Sequence, residues 1–164
     1  MKVETLTPLG VEEVEYESVL VGFDDRTPFS EQVVATAVRL AGARRHGIHV
    51  HSMLTVPSYL PLDAKLKREE SEAASKIERA KLIGGQRVTG HVERIRPGQA
   101  GYSIAEEAAE INAHAIVIGM RRRNGIPVYD ETIRTVLAER PCRVIVVSEG
   151  APPRVAPGAA GGGR

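Results

Sequence analysis

The run Ala115-Ile116-Val117-Ile118 has no polar face, and it constrains the fold more than any other stretch of the chain. A short, continuously apolar segment bounded by turn residues reads as a strand buried on both sides. Such strands lie inside parallel sheets that carry helices on both faces. Gly119, Met120, three arginines (Arg121, Arg122, Arg123) and Asn124-Gly125 follow the run. Parallel α/β sheets hold ligands just beyond the carboxyl ends of their strands. Residues 119–125 are therefore the first candidate for one wall of a site.

The rest of the chain supplies the partners such a strand needs. Val19-Leu20-Val21-Gly22-Phe23 is a first apolar strand that ends at Asp24-Asp25-Arg26. Thr27-Pro28 looks like an N-cap followed by proline at the first helical position. Val33, Val34, Ala37, Val38, Leu40 and Ala41 then recur at helical spacing up to about Arg45. A second strand over residues 48–53 places Ile48, Val50 and Ser52 on one face and His49, His51 and Met53 on the other. A proline-bracketed loop leads to Asp63, which can cap a long charged helix reaching about Ile83. Leu66, Ala73, Ile77, Ala80 and Leu82 form its thin apolar stripe, and the Lys65-to-Glu70 charge run reads as its solvated face. A third strand over residues 87–95 alternates, with Thr89, His91 and Glu93 on a wet face. A helix over residues 102–112 buries Ile104, Ala105, Ala108, Ala109 and Ile111. After the arginine loop, residues 130–139 form a last helix through Ile133, Val136 and Leu137, and residues 143–148 form the fifth strand.

This alternation predicts an α/β fold, a single doubly wound domain with a five-stranded parallel sheet. The first and fourth strands are apolar on both faces and belong in the centre. The second and third alternate and belong toward an edge. The order 3-2-1-4-5 satisfies both, and it sets Asp24 across a crevice from the Gly119 loop. The fifth strand is then an apolar edge, for which pairing in a two-fold dimer is the economical solution. The domain is expected over residues 17–148. Residues 1–16, acidic with five glutamates up to Glu17, read as a flexible lead-in, and residues 149–164, rich in Pro, Ala and Gly, as a disordered tail.

Composition excludes several classes. A net charge of +1 gives no general pull toward nucleic acid or membrane. The single cysteine, Cys142, allows no internal disulfide. No apolar run approaches the roughly 20 residues of a membrane span. Met1 to Thr5 lacks the basic and apolar regions of a signal peptide. A cytoplasmic location is the expectation.

Three segments in register with one another resemble the universal stress protein family. They are the strand ending in Asp24, the apolar strand ending in Gly119, and Pro141-Cys142-Arg143-Val144-Ile145-Val146-Val147. The resemblance covers roughly residues 16–148. It implies the same strand order and a homodimer through the last strand. Pro28-Phe29-Ser30-Glu31, residues 84–93, residues 96–101 and residues 137–144 resemble, more narrowly, universal-stress domains that follow bacterial amino-acid permeases. That likeness implies a transporter as a partner.

The nucleotide-binding branch of the family uses Gly, two residues, Gly, about nine residues, then Gly and Ser or Thr. Its glycines let backbone N–H groups approach phosphate. Gly119 matches the first glycine here. Arg122 stands at the second, Asp130 and Glu131 occupy the Gly-Ser pair, and Thr132 is the nearest hydroxyl. Two carboxylates at the presumed phosphate end would each oppose a triphosphate by on the order of 1 kcal/mol or more. Arg121, Arg122 and Arg123 suit an anion, since guanidinium forks match phosphate and carboxylate. They also suit a solvated turn latched to Asp130, Glu131 or Asp24, or a protein contact. In the family the aspartate matching Asp24 lies beside the nucleoside; a loop cap is its other reading. The ligand set to test is thus Asp24, Gly119, Arg121, Arg122, Arg123, Gly125 and Thr132. The ligand is ATP, another adenine nucleotide or another anion.

The resulting expectation is a non-catalytic regulatory module, with an ATP-binding protein of slow hydrolytic activity as the alternative. His49 and His51 share a strand face, but no further metal ligand is evident from sequence, and His46 and His91 have no clear route to them. Packing under a helix is the expectation there, and no metal site. Gly98-Gln99-Ala100-Gly101 reads as a tight turn away from the crevice. Cys142, after a proline and entering a buried strand, reads as inert.

Overall fold

The computed structural model of the chain describes residues 16–43 and 45–148. The elements run β1 Ser18–Phe23, α1 Glu31–Ala41, β2 Gly47–Thr55, α2 Lys67–Gly84, β3 Val88–Ile95, α3 Ala100–Glu110 and β4 Ala115–Met120. Two short strands follow, β5 Arg122–Arg123 and β6 Ile126–Pro127, then α4 Glu131–Glu139 and β7 Arg143–Ser148. The five long strands are parallel in the order β3-β2-β1-β4-β7. That is the expected 3-2-1-4-5, with a hairpin inserted before the last helix.

Alternation along β1 divides the core. Val19, Val21 and Phe23 face α1 and α2, where they pack with Val33, Val34, Ala37, Ile77 and Ala80. Leu20 faces α3 and α4, with Ile116, Ile118, Ile104, Ala108, Ile133 and Val136. Strands β1 and β4 are buried on both faces because each has a helix layer on either side and a strand on either edge. The apolar residues of β7 are only half-buried, as its edge position dictates.

Several local expectations shift. The N-cap of α1 is Ser30, whose hydroxyl accepts from Val33 N at 3.3 Å, and not Thr27. Proline at position 28 therefore precedes the helix. Helix α1 stops at Ala41, where Gly42 takes a positive φ, and does not reach Arg45. Asp63 caps nothing: α2 begins at Lys67 without a side-chain cap. The loop before it is instead held by Arg96, which donates to Pro57 O and Leu60 O, and by Arg94, which donates to Leu62 O and Ala64 O. Leu82 lies on the outer side of α2, 88% exposed, while Ala73, Ile77 and Ala80 are buried as expected. The lead-in and the tail lie outside the described residues, apart from Tyr16. Its backbone N–H donates to Leu40 O, and its hydroxyl accepts from Arg143.

Candidate functional site

The carboxyl ends of β1 and β4 do meet at the switch point. Val19 to Gly22 pair with Ala115 to Ile118, so both chains leave the sheet side by side. Asp24 follows β1 directly and is 7% exposed. Its Oδ1 accepts from Arg26 N at 3.1 Å and Thr27 N at 2.7 Å, which folds the loop back on itself. Its Oδ2 receives the Thr132 hydroxyl at 3.4 Å, a contact between residues 108 apart in sequence. The loop-cap reading of Asp24 is therefore realised. Lys76 on α2 braces the same loop by donating to Asp24 O at 2.7 Å and Thr27 O at 3.0 Å. Burial lowers the Lys76 ammonium below its ordinary range, and Asp24, Asp25 and Glu72 pull it back up. Asp25 is more than a plain turn residue, since it accepts the Thr55 hydroxyl at 2.8 Å.

The arginine loop is a hairpin. Arg122 and Arg123 pair with Pro127 and Ile126. Asn124 and Gly125 turn between them at φ 52° and 76°, as a two-residue primed turn requires. Val128 N donates to Arg121 O at 2.7 Å and closes the base. The expected loop is thus a hairpin, and Asn-Gly, the strongest short hairpin signal, makes its turn.

At the end of the hairpin the chain provides its own anion. Asp130 is the N-cap of α4: its Oδ1 accepts from Ile133 N at 3.0 Å. Its Oδ2 receives Arg121 Nε at 3.3 Å. A carboxylate thus occupies the positive end of α4, where a bound phosphate would otherwise find backbone donors. Of the latch partners open to the arginines, Asp130 is the one used by Arg121.

Two spaces flank this ion pair. A narrow one of about 50 Å³ is lined by Asp24, Asp25, Thr55, Gly98, Asp130, Glu131 and Thr132, among others, and is rich in carboxylates. A larger one of about 370 Å³ is lined by Arg26, Thr27, Pro28, Phe29, Ser30, Gly119, Met120, Arg121, Arg122 and Val147. Arg121 borders both. Of the residues expected at a site, Asp24, Gly119, Arg121, Arg122 and Thr132 line one or the other. Arg123 and Gly125 sit out on the exposed hairpin and border neither. Pro97, Gly98 and Gly101 do reach the narrow space, so this turn lies at the crevice and not away from it. Gly101 is also a packing residue. A Cβ there would stand 2.5 Å from Thr135 Cβ and 3.0 Å from Thr132 O, so glycine lets α3 and α4 close together.

The universal stress protein family model matches residues 15–148. The chain belongs to the universal stress protein family. No curated protein sequence matches it. Among solved structures, a universal stress protein from Archaeoglobus fulgidus is 23% identical, with a TM-score of 0.60 over 79% of this chain and 96% of that one. A universal stress protein from Archaeoglobus fulgidus in complex with dAMP aligns at a TM-score of 0.59 and 23% identity, over 79% of this chain and 95% of that one. A universal stress protein in complex with cAMP aligns at 0.53 and 22% identity, over 82% and 98%. At these identities the likeness establishes the doubly wound fold.

In this universal stress protein Asp130 serves the fold, as the cap of α4 and the partner of Arg121. Arg26 and Lys76 were not singled out by sequence. Lys76 could have been, because it borders the apolar stripe Ala73, Ile77 and Ala80 and is not on the far face of α2. No described helix is long and apolar enough to cross a membrane.

Proposed function

We propose that the chain is a regulatory universal stress protein that binds a phosphate-bearing small molecule, an adenine nucleotide first among candidates, in the larger cavity. The single observation behind this reading is the Asp130 carboxylate seated on α4 and paired with Arg121. It opposes a polyphosphate at the family's usual phosphate position. The cavity on the other side of Arg121 has Arg26, Arg121 and Arg122 for the anion and Pro28, Phe29, Met120 and Val147 for an apolar moiety. Its volume of about 370 Å³ falls in the range of small-molecule sites. The nucleotides bound to two relatives, cAMP and dAMP, suggest which probes to use.

The test is a thermal-shift and calorimetric titration with AMP, cAMP, ADP and ATP. A saturable shift that is lost in Arg26→Ala and in Arg122→Ala supports the reading. A shift retained in both but lost in Thr132→Ala supports the alternative, an ATP-binding protein using the crevice itself. No shift with any nucleotide in a folded protein overturns both. Dimerisation through β7, suggested by its half-buried Val144, Ile145, Val146 and Val147, belongs to the same proposal. A monomer in sedimentation at micromolar concentration would contradict it. Docking to a transporter rests on sequence resemblance, and a pull-down with membrane proteins addresses it.

A further inference from the structure

Between β2, β3 and α3 lies a cluster of side chains that the nucleotide reading does not use. Strands β2 and β3 pair with His49 opposite Thr89 and His51 opposite His91. Residues two apart on a strand share a face, so His49, His51 and His91 come together on the side covered by α3. Helix α3 contributes Glu107, one turn beyond Ser103. His91, which sequence gave no route to the others, is thus brought beside them by register. His46 is elsewhere, with Nδ1 against Ala41 O at the end of α1.

The geometry is that of a ligand set. His49 Nε2 lies 3.0 Å from Glu107 Oε1 and 3.2 Å from His91 Nδ1. His91 Nδ1 lies 3.8 Å from the same Glu107 oxygen. A triangle with sides 3.0, 3.2 and 3.8 Å has its equidistant point about 2.0 Å from each corner, which is the bond length of zinc to imidazole nitrogen and carboxylate oxygen. One ring nitrogen of His51 joins the group, all four donor atoms lying within 4.8 Å of one another. We propose that His49, His51, His91 and Glu107 bind one divalent transition metal ion of the zinc class.

Three further observations support that assignment. The His51 side chain is fully buried, and its Nδ1 has no hydrogen-bond partner in the protein. Buried polar atoms are rarely left so, and one on a residue of this cluster signals a missing partner. Supporting contacts are also present, as metal-binding imidazoles require. His49 Nδ1 faces the Thr89 hydroxyl at 3.2 Å, which leaves Nε2 as the lone-pair atom when Nδ1 carries the proton. His51 Nε2 is held by Ser103 Oγ at 2.7 Å and Glu93 Oε2 at 3.1 Å. Finally, His91 is 43% exposed and gives an ion a way in from the β3 edge.

Three imidazoles with one carboxylate suit zinc, cobalt or nickel, whereas magnesium and calcium prefer oxygen. Bound there, the ion would tie β3 to β2 and α3, which makes it a structural or metal-responsive clamp on the sheet edge.

The test uses the full chain, tag removed and treated with chelator, titrated with Co²⁺ and then Zn²⁺. The expected result is one Co²⁺ per chain with visible absorption bands of a four-coordinate site, displaced by one Zn²⁺, and a raised melting temperature. His91→Ala and Glu107→Gln should each weaken binding by tenfold or more, with far-ultraviolet circular dichroism unchanged. His91 is exposed, so its variant tests the site without emptying the core. Cys142→Ser should leave binding intact. Absence of stoichiometric Co²⁺ binding overturns the proposal. So does binding that survives His91→Ala and Glu107→Gln, which would place the ion elsewhere.

Discussion

Asp130→Asn separates the two roles of the residue at the α4 N-terminus. Asparagine caps a helix about as well as aspartate, so the bond to Ile133 N is kept. What is lost is the charge and the pair with Arg121. Both side chains retain some exposure, 34% for Arg121 and 17% for Asp130, so the pair contributes at most about 1 kcal/mol. A melting-temperature change of no more than about 4 °C follows for a domain of this size. Ligand affinity should move much further. A phosphate sharing the Arg121 guanidinium with Asp130 would lie about 4–5 Å from that carboxylate. Repulsion at this range is about 1 kcal/mol in water and about 4 kcal/mol at an effective dielectric constant of 20. For a half-exposed site an estimate of roughly 1–2 kcal/mol is reasonable, or about 5- to 30-fold in Kd. Calorimetry with AMP at low ionic strength measures it, and the gain should shrink as salt shortens the Debye length. Asp130→Ala is the companion variant, which should lose about 1 kcal/mol more stability by removing the cap. Unchanged or weaker AMP binding in a folded Asp130→Asn protein would refute the idea that this carboxylate competes with the ligand.

Other outcomes follow from single contacts. Gly101→Ala should destabilise by about 1–3 kcal/mol in urea unfolding, because its Cβ meets Thr135 Cβ at 2.5 Å; Gly47→Ala, with nothing within 4 Å, should stay within about 0.5 kcal/mol. Lys76→Met removes two charge-assisted bonds to the β1–α1 loop, so it should cost about 1–3 kcal/mol and speed hydrogen exchange at Thr27. Burial raises the Cys142 thiol above its ordinary range, so alkylation near pH 8 should be slower in the native protein than in urea, and its rate should go on climbing at pH values where the unfolded thiol has levelled off.

The sheet was legible because burial leaves a direct mark on composition. Strands β1 and β4 sit between two helix layers and, after Ser18 at the start of β1, carry no polar residue on either face, whereas β2 and β3 alternate toward the edge. Helix ends were less legible, since the capping residue is chosen by geometry among several candidates. Thr27 and Ser30 both carry a hydroxyl, but Thr27 belongs to the turn built on Asp24 and the helix starts at Glu31, so Ser30 is the cap. The crevice was half-legible. Asp24, Gly119 and Arg121 follow from strand ends, and the Arg–Asp latch follows from charge. That Asp130 also caps α4, and that the turn at Gly98 borders the crevice, depend on how closely α3 packs on α4. The packing residue Gly101 looks in sequence like any turn glycine.

The histidine cluster shows what kind of information a single strand cannot carry. His49 and His51 share a face by alternation alone, but their partner His91 is contributed by a strand about 40 residues later. Its position depends on the β2–β3 register. A slip of one residue would turn His91 to the α2 side and present Gly90 in its place. The structure opposes that slip at Gly90 itself. A Cβ there would lie 2.7 Å from Val50 O and 2.9 Å from Ile77 Cγ2, so no larger residue fits between β2 and α2 at that level. Val88, 3% exposed, is held opposite Ile48 by the same core. Register fixed by apolar packing on the α2 face thus delivers three imidazoles to the α3 face. Gly90→Val should therefore weaken Co²⁺ binding through altered register, although residue 90 contributes no donor atom and points away from the cluster. Retention of full Co²⁺ affinity in a folded Gly90→Val protein would show that the cluster does not depend on this packing.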